Sequence, residues 1–496
     1  MIPKRAWWAL GAPLAALVLW HASWKRAASY LLDGAIAAPS SVVATHAIAC
    51  AIGAVVASRA RVVTPWRAPA LLALSAAVSG FTPLVAPLAF DDRRAIVGLL
   101  YGAAIALGLL LGALVATLVR TLPRLDFPRA ALLDALGLGA LFPALAAAVA
   151  FFLASERVGA ARVSAGLAIG AALVAHLGAT TLASGARASR RVARLAAGTA
   201  YALAIVALAL EPVLPLLEAS RYGDAIVYAF GGEHGRVVLT SGRGAFQLYV
   251  SGALRLSTID AHRRREALVH PAMAVASRRA SVLVVGGGDG GALREILRYP
   301  DVERVTLIEP DDALLHAARH QPIVVRENGG AFADPRVLAV RADPFSWLRD
   351  RGERFEVIVV DAPEPDGPGR SKLYTTYFYR LVRAHLAEGG VGTVAGPSVL
   401  ALRRGWASIL LSLEAAGLHP IPYHANLPTM GVMGHALIGD RLGVAPRHVA
   451  VPCTWLDDAT LEEAFLVAVD EVATRDAVEN LLWRQVLLRY RDEAER

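Results

Sequence analysis

Four carboxylates follow strand-like stretches in the second half of this 496-residue chain, and their positions predict a ligand site. Asp289 lies inside a glycine-rich turn, while Glu309, Asp343 and Asp361 come at or just after the ends of short apolar runs. The carboxyl ends of parallel strands meet at one edge of a sheet, and ligands bind outside that edge. We therefore expect the four acids to converge, although each alone would also suit a helix N-cap or a turn.

The glycine-rich turn Gly286–Gly291 has the context of a nucleotide-binding turn. It lies between a predicted strand, Ser281–Val285, and a predicted helix, Ala292–Arg298, and the next predicted strand, Val302–Ile308, leads to Glu309. Glycines let a backbone approach a ligand, and a helix N-terminus presents free N–H groups. An acid about 20 residues after the first glycine commonly binds ribose hydroxyls. The pattern predicts a bound nucleotide or nucleoside.

Asp289 narrows the class of ligand, because a carboxylate inside the turn would repel a pyrophosphate. This argues against NAD, FAD and ATP. It favours a cationic nucleoside, such as a relative of S-adenosylmethionine with its sulfonium and amine. We expect Gly286, Gly288 and Gly290 to contact this nucleoside.

From about Gly235 to Gly434 the chain resembles spermidine synthase and related aminopropyltransferases. The most specific match is Gly286–Glu295, and supporting matches are Glu266–Pro271, Val305–Asp311, Asp361–Pro368, Leu373-Tyr374 and Phe378-Tyr379. The resemblance implies a Rossmann-like domain of the class I methyltransferase type at residues 276–496, preceded by a small β-rich subdomain at residues 219–275. Helical apolar spacing further predicts a packing helix over Leu461–Tyr490.

The resemblance implies transfer of an aminopropyl group from decarboxylated S-adenosylmethionine, a co-substrate, to putrescine or a related amine. Asp361 would take a proton from the amine, since an ammonium of pKa ~10 is not a nucleophile. Glu309 would bind the ribose, Asp343 the adenine side and Asp289 the aminopropyl amine. The amine acceptor would contact the remaining candidates, Asp260, Arg265, Glu266, Glu364 and Pro368. Family members are often homodimers or homotetramers.

The acceptor side departs from the family pattern. Arg255 replaces a glutamine, and Arg264 with Arg265 replaces an aromatic residue and a histidine. Arginines would repel a diamine unless they point away or pair with Asp260 or Glu266. Three interpretations remain open: a solvated arginine face, an acceptor that bears an anionic group, or a loss of catalysis.

Two other functions remain open, a methyltransferase that uses S-adenosylmethionine and a non-catalytic membrane protein that binds a nucleoside or polyamine. Nucleic-acid binding is disfavoured despite the net charge of +8, because no basic patch with aromatic platforms is recognisable. Cys50 and Cys453 form no disulfide or metal-binding pattern. The isolated histidines likewise predict no metal site.

The residues before about 218 predict an all-α, multi-pass transmembrane bundle, as in bacterial family members that carry such a domain. A crossing helix needs about 20 apolar residues, and seven runs qualify: Ala6–Ser23, Val42–Ser58, Ala68–Phe90, Ala95–Val119, Ala130–Ala154, Ala160–Ser184 and Val192–Leu217. The positive-inside rule places the N-terminus in the cytoplasm. We expect an inner-membrane protein with a cytoplasmic catalytic domain, which requires that one run does not cross the lipid bilayer.

Overall fold

The computed structural model describes residues 39–59, 93–121, single residues between 71 and 205, and 222–494 with gaps at 232–235, 243, 251, 366–367, 440–444, 469–475 and 483. The chain divides into two compact units between Gly223 and Asp224, and each is described by itself. Five of the predicted apolar runs lie wholly or almost wholly outside the described residues: Ala6–Ser23, Ala68–Phe90, Ala130–Ala154, Ala160–Ser184 and Val192–Leu217.

In the first unit the structure describes two long helices, α1 (Pro39–Ser58) and α2 (Arg93–Thr121), at two of the predicted runs. Glycine brings them together: a Cβ on Gly108 would lie 2.6 Å from the carbonyl oxygen of His46, and one on Gly112 would overlap the carbonyl of Cys50. In the described part of the chain, no helix has the length and hydropathy that crossing a bilayer requires. The crossing predicted for these two runs is therefore not supported.

The second unit begins with a small antiparallel sheet of four strands in sequential order. Its strands are β1 (Ala225–Gly231), β2 (Arg236–Gly242), β3 (Ala245–Val250) and β4 (Ala253–Ser257). Val237, Leu239 and Leu248 are fully buried, and they form a core with Leu314 of the helix Asp312–His320. β1 to β4 all lie within residues 219–275, the range in which a small β-rich subdomain is expected.

The larger sheet has seven strands, with the order β10-β11-β9-β8-β5-β6-β7. They are β5 (Ser281–Gly286), β6 (Arg304–Ile308), β7 (Val337–Val340), β8 (Phe355–Asp361), β9 (Leu386–Ser398), β10 (Ile421–Leu427) and β11 (Gly431–Gly439). The helices that the structure describes in this unit are α3 (Ala261–Val275), α4 (Gly291–Ile296), α5 (Asp312–His320), α6 (Pro322–Glu327), α7 (Pro344–Asp350), α8 (Pro368–Ser371), α9 (Thr376–His385), α10 (Arg403–Ala415), α11 (Asp458–Ala464) and α12 (Val486–Ala494). Two 3₁₀ turns lie at Ala331–Ala333 and Lys372–Tyr374.

Strands β5 to β9 pair in parallel, and their apolar runs explain why they lie at the centre of the sheet. Val282–Val285 and Val357–Val360 are fully buried, with helices packed on both faces, as parallel sheets require. The chain runs from β5 outward through β6 and β7, then returns to β8 on the other side of β5. This reversal is the topological switch point at which Rossmann-like folds bind ligands. Gly286 and Asp361 pair there, at the ends of β5 and β8.

The single helix predicted over Leu461–Tyr490 is wrong. In this part of the chain the structure describes two short helices instead, α11 and α12, and the described residues between them, 465–468, 476–482 and 484–485, are not helical. Asn480 lies in that interval and is fully buried. Its backbone N–H donates to the Ser412 hydroxyl, and its side-chain amide donates to the carbonyls of Ser371 and Tyr374. These bonds hold an irregular segment against α10, which helical apolar spacing could not reveal.

Candidate active site

The turn after β5 brings the ends of three parallel strands into contact. Gly286 has a φ of +78°, and a Cβ there would lie 2.5 Å from the carbonyl oxygen of Asp361. A Cβ on Gly288 would lie 2.5 Å from the Cγ of Glu309. Gly290, in the left-handed conformation, is the N-cap of α4. The glycines therefore allow the turn to approach the carboxylates of β6 and β8.

Glu309 is bound to the backbone of this turn. Its Oε2 accepts a hydrogen bond from the Gly288 N–H at 3.0 Å, and its Oε1 accepts one from the Asp311 N–H at 3.0 Å. Burial raises the pKa of Glu309 to about 7, and the two backbone bonds only partly oppose this increase. The carboxyl group is thus partly protonated at neutral pH.

Asp361 and Asp289 are joined by arginines. Arg255, on β4, donates from Nε to Asp289 at 2.8 Å and from Nη2 to Asp361 at 2.6 Å. Arg264, on α3, donates from Nη2 to the other oxygen of Asp361 at 2.6 Å. The side chains of both aspartates are nearly inaccessible, at 2 % and 1 % exposure. Four buried charges of balanced sign therefore occupy the switch point.

The arginines determine the protonation of Asp361. Burial alone would raise its pKa, but the charges and hydrogen bonds of Arg255 and Arg264 outweigh burial and lower the pKa below its ordinary value. Asp361 is therefore ionised, and it is a weak base while both arginines remain in contact. A reaction that uses it as a base requires at least one arginine to be displaced or neutralised.

A cavity of about 650 Å³ opens at this edge of the sheet. Of the acids predicted to bind ligand, Glu309, Asp343, Asp361 and Glu364 line it, as does Gly286. Asp289 instead lines a small cleft of about 20 Å³, which has room for a water molecule and shares Arg255 with the larger cavity. Three of the four strand-end acids therefore meet at one cavity, and the fourth, Asp289, lies in the adjoining cleft.

Asp343 and Pro368 lie at helix ends near the cavity. Asp343 is the N-cap of α7, where it accepts the Ser346 N–H, and it forms an ion pair with Lys372. Burial would raise the pKa of Asp343, but the bond from Lys372 lowers it overall. Pro368 begins α8. Glu364 is exposed.

Three residues predicted to bind the acceptor instead form contacts within the protein. Asp260 accepts bonds from the N–H and hydroxyl of Thr429, each at 2.8 Å. Arg265 pairs with Glu295 at 3.0 Å, and Glu266 accepts three backbone N–H groups of residues 454–456. None of the three lines the large cavity. Their acceptor-binding role is not supported, because their charges are satisfied by buried contacts.

The sequence indicated neither the partners of Arg255 and Arg264 nor the role of two further cavity residues. Tyr374 is fully buried and donates to the carbonyls of Ala362 and Pro363, which fixes the segment that follows Asp361. His435 lines the cavity, and burial followed by the charge of Arg264 lowers its pKa to about 4, so its imidazole is neutral. Tyr374 belonged to a recognised match, but no sequence signal indicated His435.

Part of the chain is similar to known proteins of one family. Residues 261–435 match the spermine/spermidine synthase domain. A polyamine aminopropyltransferase 2 from Ralstonia nicotianae is 38 % identical over 279 residues, which are 56 % of this chain and 54 % of that protein. A polyamine aminopropyltransferase from Corynebacterium efficiens is 39 % identical over 222 residues, 44 % of this chain and 42 % of that protein.

The match to solved structures is lower in identity. The crystal structure of spermidine synthase from Thermotoga maritima shares 22 % identity with a TM-score of 0.44, over 49 % of this chain and 84 % of that one. The chain spans about half the length of the curated relatives it matches. The residues that match the spermine/spermidine synthase domain, 261–435, lie within the second unit.

Proposed function

We propose that the protein is an aminopropyltransferase that moves the aminopropyl group of decarboxylated S-adenosylmethionine to putrescine or a related amine. The observation that carries the proposal is the meeting of Asp289, Glu309 and Asp361 at the switch point, beside a cavity of about 650 Å³. The matched relatives are named as polyamine aminopropyltransferases, which supports this chemistry.

The proposed reaction is a single displacement. The lone pair of the acceptor nitrogen forms a bond to the aminopropyl carbon next to sulfur. The carbon–sulfur bond breaks with its electrons moving to sulfur, so the sulfonium becomes the neutral thioether of methylthioadenosine. The nitrogen loses one proton to Asp361. Because both reactants must be in line, much of the rate comes from positioning by the cavity walls.

The proposed donor nucleoside can be bound by two acids that line the large cavity, Glu309 and Asp343. Glu309 holds two backbone N–H groups, and its carboxylate oxygens have further lone pairs for the ribose hydroxyls. Asp343 lines the same cavity and can accept from the adenine amino group. No permanently bound cofactor is needed for this displacement, and the metal-free chemistry uses only the protein carboxylates.

The test is to incubate the full chain with decarboxylated S-adenosylmethionine and a panel of amines, then identify products by mass. We expect methylthioadenosine and an aminopropylated amine in equal amounts. Arg263→Gln is a matched control, because Arg263 is next to Arg264 but contacts the carbonyl of Asn426 and the ring of Trp455 rather than Asp361. Absence of methylthioadenosine with every amine would contradict the proposal. Release of S-adenosylhomocysteine from S-adenosylmethionine would instead indicate a methyltransferase.

The location and assembly of the enzyme are proposed from the sequence alone. We propose that the predicted apolar runs other than those of α1 and α2 form a multi-pass inner-membrane domain within residues 1–218, and that the catalytic domain lies in the cytoplasm, where a nucleoside co-substrate is expected. Protease treatment of sealed inverted and right-side-out vesicles tests the side. A homodimer or homotetramer is proposed from the family, and sedimentation in detergent measures it. Digestion of the catalytic domain in right-side-out vesicles alone would contradict the cytoplasmic location.

A further inference from the structure

The reacting end of the cavity has almost no net charge to offer a cationic substrate. The carboxylates of Asp289 and Asp361 are both bound by the guanidinium of Arg255, and Arg264 binds Asp361 a second time. Asp343 is similarly paired with Lys372. The carboxylates of Asp289, Asp361 and Asp343 are therefore already occupied by positive side chains.

A diamine and a decarboxylated donor fit this arrangement poorly. Each brings only positive charge, in its amines and, for the donor, in its sulfonium. To reach Asp361, an ammonium must displace an arginine, and that arginine then remains buried beside the new cation. Like charges in such a water-poor site repel strongly. A substrate that also carried an anion would give the displaced arginine a new partner.

The arginines have donors available for such an anion. Arg255 Nη1 and Arg264 Nε and Nη1 make no hydrogen bond to any residue that the structure describes. Both guanidinium groups line the large cavity. A planar guanidinium can bind both oxygens of a carboxylate through parallel hydrogen bonds. The two side chains therefore form a ready carboxylate site next to Asp361.

We propose that one of the two reactants carries a carboxylate beside its amine, as in an amino acid head group, and that Arg255 and Arg264 select it. Its ammonium exchanges with the arginines at Asp361, and its carboxylate takes their free donors. This inference rests on the proposed function and keeps its bond changes: nitrogen–carbon forms, carbon–sulfur breaks, and Asp361 takes the proton. The carboxylate can belong to the acceptor or to a donor that has not been decarboxylated.

Pairs of substrates that differ by a single carboxylate test the proposal. They also identify which reactant, acceptor or donor, carries the carboxylate. The acceptor pairs are ornithine with putrescine and lysine with cadaverine. The donor pair is S-adenosylmethionine with its decarboxylated form. For at least one pair we expect the carboxylated member to have a kcat/KM higher by about tenfold or more, as for a gained charge-assisted hydrogen bond. Product mass identifies which reactant kept its carboxylate.

Variants of the two arginines link the preference to the residues. Arg264→Gln and Arg255→Gln should reduce the ratio of carboxylated to plain substrate by about tenfold, whereas Arg263→Gln should leave it unchanged. The proposal would be overturned if the wild type had a higher kcat/KM for the member without the carboxylate in every pair. It would also be overturned if neither arginine variant altered the ratio of kcat/KM between the two members. In that case methylthioadenosine release with putrescine would still uphold the proposed function.

Binding decides the outcome if no pair reacts. Calorimetry of the full chain saturated with methylthioadenosine measures each acceptor without turnover, and calorimetry of the free protein measures the two donors. Tighter binding of a carboxylated member, lost in Arg264→Gln, would support the carboxylate site while the transferase proposal fails. Equal or weaker binding of every carboxylated member would overturn the inference.

Discussion

The two sides of the cavity differ in how their charged groups are satisfied. On the donor side, comprising Gly286–Gly291 and Glu309, the carboxylate is held by nearby backbone N–H groups. On the acceptor side, comprising Arg255 and helix α3, arginines reach carboxylates up to 106 residues away in sequence. For the proposed reaction, the local backbone bonds would leave the Glu309 carboxylate able to accept from ribose, whereas the ion pairs of Asp289 and Asp361 would cancel the charge that an amine requires. The two sides can therefore be separated experimentally.

The largest effect is expected from Asp361→Asn. Loss of the proton acceptor should lower kcat by about 10²–10⁴-fold, the usual contribution of a general base. Binding of methylthioadenosine should change little, because the donor side is intact. Rapid-quench kinetics and calorimetry measure the two quantities. Retention of full kcat would show that another group takes the proton and would weaken the distinction between the two sides.

Glu309→Gln is expected to weaken donor binding by about tenfold or more, the effect of losing a charged acceptor, with a smaller change in acceptor KM. In the wild type, the affinity for the donor should increase as the pH is raised from 6 to 8. Burial raises the pKa of Glu309 to about 7, and only its ionised carboxylate can accept from both ribose hydroxyls. Titration calorimetry from pH 6 to 8 measures this slope. A slope that persists in Glu309→Gln would assign it to another group.

The same shift gives a stability prediction of opposite sign. The folded pKa of Glu309 is raised from its ordinary 4.5 to about 7, so the folded state binds more protons than the unfolded state between these values. The contribution of Glu309 to the free energy of unfolding is therefore greatest below pH 4.5 and decreases as pH rises toward 7. Glu309→Gln should flatten that part of the melting-temperature profile. An unchanged profile would contradict the buried position of the carboxyl group.

Glu266→Gln should affect stability rather than catalysis. The glutamine amide cannot accept all three backbone N–H groups of residues 454–456, so we expect the free energy of unfolding to fall by about 1–3 kcal/mol. Thermal unfolding measures this loss, and steady-state kinetics should show acceptor KM nearly unchanged. A large increase in acceptor KM with normal stability would restore Glu266 to the acceptor site.

The smallest effect is expected from Asp343→Ala, which removes the N-cap of α7 and the contact with Lys372. Loss of a cap lowers the free energy of unfolding by about 1 kcal/mol. If Asp343 also binds adenine, the variant should in addition bind methylthioadenosine more weakly than the wild type. Unchanged binding would limit Asp343 to capping.

The features that could be predicted from the sequence are those set by residues close to one another along the chain. The strand Ser281–Gly286, its glycine-rich turn and the acid that ends the next strand form a local pattern, so the fold and the donor side could be inferred. The partners of Arg264 and Glu266 depend on side-chain directions set by tertiary packing. Arg264 pairs with neither Asp260 nor Glu266, the two partners considered from the sequence, because its guanidinium lies beside Asp361.

Three consecutive charged residues of helix α3 contact three different parts of the protein. Arg264 reaches Asp361, Arg265 reaches Glu295, and Glu266 binds residues 454–456. Successive residues point about 100° apart around a helix. Each of the three contacts therefore depends on the position of its residue around the axis of α3. Inserting or deleting one residue before Arg264 would rotate all three side chains and mismatch every partner. This stretch should consequently accept changes of residue type more readily than any change of length.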